Sequence, residues 1–519
     1  MVAGAASRRR RCYAAGIDSH MPSTGPSARD VLREVFGYAE FRPGQEKLIT
    51  TVLGGRDCIG VMPTGAGKSL TYQIPARILP GTVLVVSPLI SLMKDQVDAL
   101  ERAGFRATLL NSTLDGAARR DRIVRARRGE YELIYVAPEG LDGGLRGALA
   151  GVRVSLVAVD EAHCISEWGH DFRPAYRRLC GLKQQLGGPP ILALTATATR
   201  PVVRDIIRQL GMVKPDGFKG TFFRPNLRLT VHKKGDGRGS RKDLLAFVRR
   251  RRGESGIVYT LSRRNVDSLA TYLRAAGVRA VPYHAGLDDV DRARHQDAFA
   301  RDEVDVVVAT IAFGMGIDKS NVRWVIHREL PRSIESWYQE FGRAGRDGLA
   351  SDCVLLYSWA DVVSHRAMQG SIEDPAARLA ARRSSVAAFD LAEASGCRWR
   401  NLVRHFDEAI EPCGAACDVC RNTDIADLVR PDAGLRGGSA PVAVEGVVDG
   451  ELFERLRALR RRLADREGVP AYVVFSDAVL ARMVAMRPTD EAGLLTVSGV
   501  GPAKLQRYGA AFLRVLREG

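Results

Sequence analysis

A glycine-rich stretch at residues 62–69 has residue types and spacing suited to binding phosphate. It reads Met-Pro-Thr-Gly-Ala-Gly-Lys-Ser and stands between a short apolar run, residues 58–61, and a segment of helical character. Glycines free backbone N–H groups to surround phosphate oxygens at the start of a helix. Lys68 would neutralise the outer phosphates, and the Ser69 hydroxyl would bind Mg²⁺. A chance loop is the alternative, which the flanking strand and helix disfavour. The predicted phosphate-binding residues are Thr64, Gly65, Ala66, Gly67, Lys68 and Ser69.

Two adjacent carboxylates, Asp160 and Glu161, follow an apolar run at residues 156–159. If that run is a buried strand, Asp160 can hold Mg²⁺ through water. Glu161 can then act as general base toward an attacking water molecule. An Asp-Glu pair after a strand is otherwise an ordinary solvated strand end. Because a phosphate loop precedes this pair in the same α/β unit, we favour the metal-binding interpretation.

Residues 339–346 read Gln-Glu-Phe-Gly-Arg-Ala-Gly-Arg. Arg343 and Arg346 are three positions apart, so on a helix they would lie on the same face. Facing a cleft between two domains, they could reach terminal phosphate oxygens and stabilise charge in the transition state. Ordinary surface arginines are the alternative, which the Gln-x-x-Gly-Arg-x-Gly-Arg pattern disfavours. We predict catalytic roles for Gln339, Arg343 and Arg346.

Four of the nine cysteines cluster late in the chain, at Cys397, Cys413, Cys417 and Cys420. Four thiolates in this spacing predict a closed tetrahedral Zn²⁺ site without a water position, which is structural rather than catalytic. Four unrelated core thiols are the alternative. The other cysteines are scattered through a long chain without a secretory signature, so a reducing cytoplasm is expected rather than a disulfide framework.

The elements that must position these residues follow from apolar patterning. Aliphatic and β-branched runs predict buried parallel strands in two successive groups, which indicates two tandem doubly wound α/β domains with a cleft between them. Later segments read as helices. The predicted strands are 58–61, 82–86, 133–136, 156–159, 191–194, 256–259, 305–309, 324–327 and 353–357. The predicted division is a disordered basic tail (1–27), a first α/β domain (28–213), a second (214–358), a helical zinc-binding subdomain (359–421), a linker (422–447) and a small all-α domain (448–519).

The charge balance favours a polyanionic partner. The 519-residue chain has 77 Lys and Arg against 60 Asp and Glu, for a net charge of +17. Only 11 of the 77 cations are Lys, so a GC-rich genome accounts for part of the arginine excess. Nucleic acid is favoured over a membrane surface, and no stretch approaches the roughly 20 apolar residues of a membrane-spanning helix. Thr195 and Thr197 after the 191–194 strand form either a plain turn or a relay between nucleotide and nucleic-acid sites.

Together these motifs resemble those of the RecQ-family DNA helicases, within superfamily 2. The match runs nearly continuously from Phe36 to Cys420. Residues 164–176 are its most specific part, because they are similar to the aromatic-rich loop that separates this family from DEAD-box RNA helicases. The other matching segments are 36–38, 41–45, 87–92, 135–139, 160–163 and 310–318.

The resemblance implies RecA-like folds for both α/β domains and further nucleotide-binding residues. Tyr38 would stack on adenine, and Gln45 would read the base edge, with Arg42 beside them. The residues near the ribose and phosphates would be Gly316 and Asp318. Arg346 resembles the arginine finger, and Arg343 resembles its phosphate-contacting companion.

The same resemblance implies a contact with single-stranded DNA through Trp168, Phe172 and Arg173. Aromatic faces stack on any base, and Arg adds a phosphate contact. Ordinary core packing is the alternative for Trp168 and Phe172. Their polar neighbours instead favour an exposed loop.

Two departures from the family pattern stand out. The family usually has two residues between the second and third zinc ligands, whereas here there are three, at 414–416. The family also commonly has a winged-helix domain of about 100 residues after the zinc site. Only about 28 residues separate Cys420 from Asp449, so a winged helix cannot fit. The last domain resembles the HRDC module, whose basic first helix either tracks phosphates or forms a solvated face.

We therefore expect an ATP-dependent 3′-to-5′ DNA helicase that acts in DNA repair and recombination. The expected cofactors are ATP, Mg²⁺ and Zn²⁺. The expected partners are single-stranded and partial-duplex DNA and other DNA-repair proteins, with no membrane. We expect a monomer in the bacterial cytoplasm, associated with the nucleoid. The alternative is a DNA-stimulated ATPase that translocates or remodels but separates strands weakly, because the winged helix is absent.

Overall fold

A computed structural model describes residues 26–518 except 89, 112–113, 142–143, 167–170, 238, 315–318 and 430–448. The tail predicted at 1–27 lies almost entirely outside the described residues, as does most of the linker predicted at 422–447. At its start, that linker segment instead contains a short helix, Ile425–Val429. Its Ile425 is buried in the hydrophobic core of the second α/β domain, so the structured part of the chain extends past residue 421.

The described part of the first domain is built on a seven-stranded sheet whose strand pairs are all parallel. The strands are β1 (Cys58–Val61), β2 (Thr82–Val86), β3 (Ala107–Leu110), β4 (Leu133–Val136), β5 (Val154–Val159), β6 (Ile191–Thr195) and β7 (Asp216–Lys219). Their order is β3-β4-β2-β5-β6-β1-β7. Successive residues of β2, such as Val83 and Leu84, enter different hydrophobic cores. Both faces of the sheet are therefore covered, as the apolar runs predicted.

The predicted boundary between residues 213 and 214 is wrong. The edge strand β7 pairs with β1 of the first sheet, with Asp216 opposite Cys58 and Lys219 opposite Val61. Its sequence is Asp-Gly-Phe-Lys. It lacks the continuous apolar residues of a central strand because β7 lies at the edge of the sheet. The first sheet therefore ends at Lys219.

The second domain repeats the plan with six parallel strands among the described residues. They are β8 (Leu227–Lys233), β9 (Ser255–Tyr259), β10 (Ala280–Tyr283), β11 (Val306–Ala309), β12 (Val322–His327) and β13 (Ser351–Tyr357), in the order β10-β11-β9-β12-β13-β8. The central strands β9, β11 and β12 are buried throughout. A second doubly wound domain is thus confirmed.

Helices connect the strands of both sheets, and α1 and α2 precede the first strand. In the first domain they are α1 (Ala28–Glu34), α2 (Gln45–Leu53), α3 (Leu70–Ile78), α4 (Ile90–Arg102), α5 (Gly116–Arg127), α6 (Gly144–Leu149), α7 (Leu182–Gln185) and α8 (Arg200–Gln209). In the second they are α9 (Arg241–Arg250), α10 (Arg263–Ala275), α11 (Asp289–Ala300) and α12 (Ile334–Phe341). Short 3-10 helices cover Pro138–Leu141, Ala162–Ile165, Pro174–Leu179 and Gln369–Ser371.

The rest of the described chain is helical. The zinc-binding subdomain and the segment after it contain α13 (Trp359–Met368), α14 (Pro375–Glu393), α15 (Arg398–His405), α16 (Asp418–Arg421) and α17 (Ile425–Val429). The C-terminal domain contains α18 (Gly450–Glu467), α19 (Ala471–Val474), α20 (Asp477–Met486), α21 (Glu491–Leu495) and α22 (Pro502–Arg517) around its own core. In the part of the chain that the structure covers, no helix combines the length and apolarity required to cross a bilayer.

The C-terminal domain packs against both α/β domains. The Gly499 N–H donates to the Gly37 carbonyl of the first domain at 3.1 Å. On the other side, Arg461 of α18 donates to the Asp302 carbonyl at 3.1 Å. The buried Arg460 side chain pairs with Asp477 at 2.8 Å. Two arginines of the basic first helix therefore make packing contacts. From its sequence, this helix was a candidate for phosphate binding.

Candidate nucleotide, DNA and zinc sites

The phosphate loop runs from the end of β1 to the start of α3. Gly65 and Gly67 adopt φ angles of +85° and +76°, a left-handed backbone that favours glycine. The Lys68 ammonium donates to the Met62 carbonyl at 3.2 Å, so it folds back over the loop. Ser69 immediately precedes α3. The loop thus combines backbone N–H groups, a helix start and a cation, which suits a phosphate group.

The Gln45 side chain holds the phosphate loop through hydrogen bonds. Its side-chain amide donates to the Ala66 and Gly67 carbonyls at 3.2 and 2.9 Å, and its oxygen accepts the Arg42 N–H at 2.8 Å. The Arg42 guanidinium also donates to the Gly65 carbonyl. Both side chains therefore bond the phosphate loop in this structure, whereas the family resemblance implied that Gln45 would read an adenine edge. The nearby Tyr38 is 37% exposed, which leaves its ring open for stacking.

The carboxylates lie next to this loop because of strand order. β5, β6 and β1 are adjacent, so residues that follow their carboxyl ends meet at one edge of the sheet. Burial and the neighbouring Glu161 raise the pKa of Asp160 to about 7, while the Lys68 cation opposes the shift. Two adjacent carboxylates at a phosphate loop, with one destabilised as an anion, fit a divalent cation such as Mg²⁺.

A chain of side chains leads from Glu161 to the second domain. Glu161 has a φ of 47°, an uncommon value for a residue other than glycine, and its carboxylate lies 3.4 Å from the His163 ring. His163 contacts the Thr195 hydroxyl at 2.9 Å, which donates to the Thr197 carbonyl at 3.0 Å. The Gln339 amide then donates to the Thr197 hydroxyl at 3.2 Å. The two hydroxyls therefore join the two domains.

The two arginines do not lie on a helix, which was the condition for a shared face. α12 ends at Phe341, and Gly342 to Asp347 form turns, with Gly345 at a φ of +55°. Arg343 and Arg346 therefore lie in a loop and share no helix face. We call residues 342–346 the arginine loop.

The arginine loop packs directly on the phosphate loop. A Cβ placed on Gly65 would lie 3.5 Å from the Arg346 Cα, and one placed on Gly342 would lie 3.7 Å from the Thr64 Cβ. The Arg343 side chain is buried beside Gly314, and its Nε atom has no hydrogen-bond partner among the described residues. A buried guanidinium with an unused donor beside a phosphate loop fits a nucleotide.

The predicted DNA-binding residues lie just after the carboxylates. The Arg173 N–H donates to the Cys164 carbonyl at 2.9 Å, and the Arg173 side chain lies 3.3 Å from Asp171. Phe172 is half-buried, with the Arg177 guanidinium 5.5 Å from its ring centre. Trp168 lies outside the described residues, as do Gly316 and Asp318, so the structure gives no position for these three.

The four clustered cysteines converge. The Sγ atoms of Cys397, Cys413, Cys417 and Cys420 all lie within 4.8 Å of one another. Backbone N–H groups point at the sulfurs: the Cys413 N–H donates to Cys397 at 3.2 Å, and the Cys420 N–H donates to Cys417 at 3.4 Å. Burial opposes ionisation of Cys397, but hydrogen bonds from the Arg400 and Cys413 N–H groups and from the neighbouring cysteine thiols lower the pKa of its thiol to about 7. Such a set of thiolates fits tetrahedral Zn²⁺.

The cysteine site is joined to the edge of the second sheet. Leu229 of β8 forms a bridge to Cys417, and its N–H donates to the Ala416 carbonyl at 3.0 Å. Asp418 accepts the Val231 N–H at 3.0 Å. Zn²⁺ held by these cysteines would therefore stabilise β8 as well as the subdomain itself.

Two further residues were not predicted from the sequence. Arg224 and Asn226 contact the backbone of the arginine loop across more than a hundred residues of chain. Neither residue stands in a phosphate-binding or metal-binding pattern, so spacing gave no signal for them.

Family profiles cover most of the chain in four consecutive parts. The DEAD/DEAH box helicase family matches residues 42–206, and the helicase conserved C-terminal domain matches 239–348. The RecQ zinc-binding family matches 359–421, and the HRDC domain matches 449–516.

Curated relatives match over nearly the whole chain. The ATP-dependent DNA helicase RecQ of Pasteurella multocida is 37% identical over 606 positions, with 97% of this chain and 95% of the relative covered. The protein of the same name from Bacillus subtilis is 37% identical, with 94% and 98% covered. The first alignment is longer than this 519-residue chain, so it spans positions at which this chain has no residue.

Solved structures match at the level of the fold. Saccharomyces cerevisiae Dbp5 bound to RNA and ADP BeF3 is 16% identical, with a TM-score of 0.51, and the match covers 65% of this chain and 88% of that chain. The DUF1998 helicase MrfA bound to DNA is also 16% identical, with a TM-score of 0.52, and the match covers 65% and 51%.

Proposed function

Because the chain belongs to the RecQ helicase family, we propose that it is an ATP-dependent DNA helicase that moves 3′ to 5′ along single-stranded DNA. The observation that supports this most is the contact between the phosphate loop of the first domain and the arginine loop of the second. A nucleotide between these loops touches both domains, so its hydrolysis can change their separation.

The first domain binds the nucleotide. Lys68 and the loop N–H groups hold the phosphates, and Ser69 and Asp160 are the residues that would hold Mg²⁺. When bound, Mg²⁺ supplies positive charge beside the terminal phosphate oxygens. Tyr38 stacks on adenine, with Arg42 and Gln45 beside it, and Gly316 and Asp318 complete the proposed site from the second domain.

Hydrolysis uses groups from both domains. Glu161 takes a proton from the attacking water, whose oxygen forms a bond to the terminal phosphorus as the bond to the ADP oxygen breaks. Arg346, with Arg343 beside it, stabilises the negative charge that develops on the transferred phosphoryl oxygens. Gln339 of the second domain contacts the first domain through its hydrogen bond to the Thr197 hydroxyl.

DNA contact reaches the same carboxylates through a short path. In the proposal, single-stranded DNA contacts Trp168, Phe172 and Arg173. The Arg173 N–H donates to the carbonyl of Cys164, which lies only three residues beyond Glu161. Stacking and phosphate contacts carry no sequence preference, so the affinity falls with salt.

The setting of the activity is also part of the proposal. We infer a role in DNA repair and recombination, with partial-duplex DNA as substrate and other repair proteins as partners. Monomeric state and a cytoplasmic, nucleoid-associated location remain predictions. The alternative of a weakly unwinding translocase is not favoured, since the relatives that match nearly the whole chain are named as helicases.

Strand separation on tailed duplexes tests the proposal. ATP-dependent release from a 3′-tailed duplex is expected for the unaltered chain, with little release from 5′-tailed or blunt duplexes and none for Lys68→Ala. DNA-stimulated hydrolysis without release would support the translocase alternative. Absence of DNA-stimulated hydrolysis would contradict both.

A further inference from the structure

The segment that crosses between the two sheets, Lys219 to Asn226, is held by the zinc-binding subdomain. Glu408 accepts a hydrogen bond from the Thr221 hydroxyl and another from the Phe222 N–H, the latter at 2.6 Å. The buried Phe222 ring stacks on Phe406 at a centroid distance of 4.4 Å and an interplanar angle of 7°. The crossing segment is therefore fixed against α15 and the turn that follows it.

The zinc-binding subdomain also reaches the first domain at this point. The Lys219 ammonium, at the end of β7, donates to the Phe406 carbonyl and to the Asp407 carbonyl, the latter at 3.2 Å. Arg200 of α8 lies 3.7 Å from the Asp407 carboxylate. The crossing segment is thus anchored on both sides of the domain boundary.

The other end of the same segment holds the arginine loop. The Arg224 guanidinium donates to the carbonyls of Gly342, Ala344 and Gly345 at 2.7, 2.9 and 2.7 Å. The planar guanidinium fork can bond several carbonyls at once, in the way that arginines satisfy the end of a helix. These carbonyls immediately precede Arg343 and separate it from Arg346.

Asn226 completes this contact. Its amide donates to the Gly345 and Leu349 carbonyls at 2.9 and 3.0 Å. A Cβ on Gly345 would lie 2.5 Å from that amide nitrogen, so the left-handed glycine lets the two approach. The backbone on both sides of Arg346 is therefore fixed by residues of the crossing segment.

We propose that Arg224 and Glu408 are positioning residues for ATP hydrolysis. Glu408 of the zinc-binding subdomain holds the crossing segment, and Arg224 on that segment sets the arginine loop against the phosphate loop. The role of Arg346 on which this rests belongs to the proposed function. The side-chain hydrogen bonds that the structure gives for both residues go to the crossing segment and to the arginine loop. We therefore expect them to affect turnover rather than ATP binding.

Arg224→Lys and Glu408→Gln test this inference. The matched controls are Arg252→Lys, at an exposed turn after α9, and Glu411→Gln, at an exposed position of the zinc-binding subdomain. A lysine keeps the charge but cannot bond three separate carbonyls, and a glutamine loses one of the two acceptor contacts. We expect kcat for DNA-stimulated hydrolysis to fall at least tenfold in Arg224→Lys and two- to fivefold in Glu408→Gln. KM for ATP and affinity for single-stranded DNA should stay within threefold, and both controls should behave as the unaltered chain.

Chemical rescue gives a readout that general unfolding would not move. Millimolar guanidinium should restore part of the kcat of Arg224→Ala and leave Lys68→Ala inactive. Unchanged kcat in Arg224→Lys would overturn the inference. The inference would also be overturned if kcat, ATP affinity and melting temperature all fell together, because the residue would then only stabilise the fold.

Amide hydrogen exchange separates this inference from the proposed function. In Arg224→Lys, exchange should rise in peptides covering 342–350 and stay unchanged in the phosphate loop. That result in a protein without DNA-stimulated hydrolysis would contradict the proposed helicase activity while supporting the positioning contact. Unchanged exchange at 342–350 would overturn the contact whatever the activity.

Discussion

The two parallel sheets share an architecture but hold their parts of the nucleotide site differently. In the first, the phosphate loop, Asp160 and Thr195 lie at the ends of adjacent strands, so the sheet itself positions them. In the second, Arg343 and Arg346 lie in a loop beyond α12, and residues of the crossing segment fix that loop. The positions of the phosphate-binding and metal-binding groups thus depend on the first sheet alone. The positions of the two arginines depend on contacts from outside their own sheet.

The largest expected effect comes from the first sheet. Lys68→Ala removes the cation that faces the phosphates, so both ATP binding and hydrolysis should fail. We expect kcat/KM to fall at least about 10³-fold, since a preorganised group facing developing charge alone contributes about 10²–10³. Steady-state hydrolysis with saturating DNA measures this, with Lys47→Ala outside the loop as the control. Turnover within tenfold of the unaltered chain would contradict the assigned loop.

Loss of zinc should damage mainly the second sheet. Cys417→Ser removes a buried ligand next to β8. Loss of a ligand should cost more than the about 10–100-fold in metal affinity that changes to the residues around a ligand cost. We expect about one zinc per unaltered chain, substoichiometric zinc in the variant, a lower melting temperature and about tenfold slower hydrolysis. Metal analysis and thermal melting measure these quantities, and Cys180→Ser is the matched control because Cys180 is exposed. Zinc retained at full stoichiometry would refute the four-cysteine site.

The smallest expected effect lies at the contact between the sheets. Thr197→Val keeps the shape but removes the hydroxyl that accepts from Gln339. One neutral hydrogen bond contributes about 1 kcal/mol, so kcat should fall about fivefold with little change in KM for ATP. Thr199→Val is the control, because its side chain does not cap α8. An equal effect of both substitutions would show that this contact does not couple the domains.

Sequence patterning predicted the interior of both sheets and omitted their edges. The strands it found are buried on both faces and read as continuous apolar runs. The strands it omitted, β3, β7, β8 and β10, are the edges of the two sheets. Edge strands tolerate polar residues and proline, as in Asp216 of β7 and Pro282 of β10.

The same contrast applies to the nucleotide site. The phosphate loop and the carboxylates could be predicted, because their chemistry is local and each follows a strand. The path of the arginine loop could not, since its bonds to Arg224 and Asn226 join residues distant in sequence. Likewise, nothing in the spacing indicated that the Gln45 amide bonds the loop carbonyls.

Separate measurement of ATP binding and turnover in Arg346→Ala tests most directly whether the site is divided between the two sheets. An arginine finger contributes about 10³–10⁵ to kcat. We therefore predict that the variant binds a fluorescent ATP analogue within threefold of the unaltered chain, while its DNA-stimulated kcat falls at least a hundredfold. Turnover within threefold of the unaltered chain, or loss of binding as complete as in Lys68→Ala, would contradict the division.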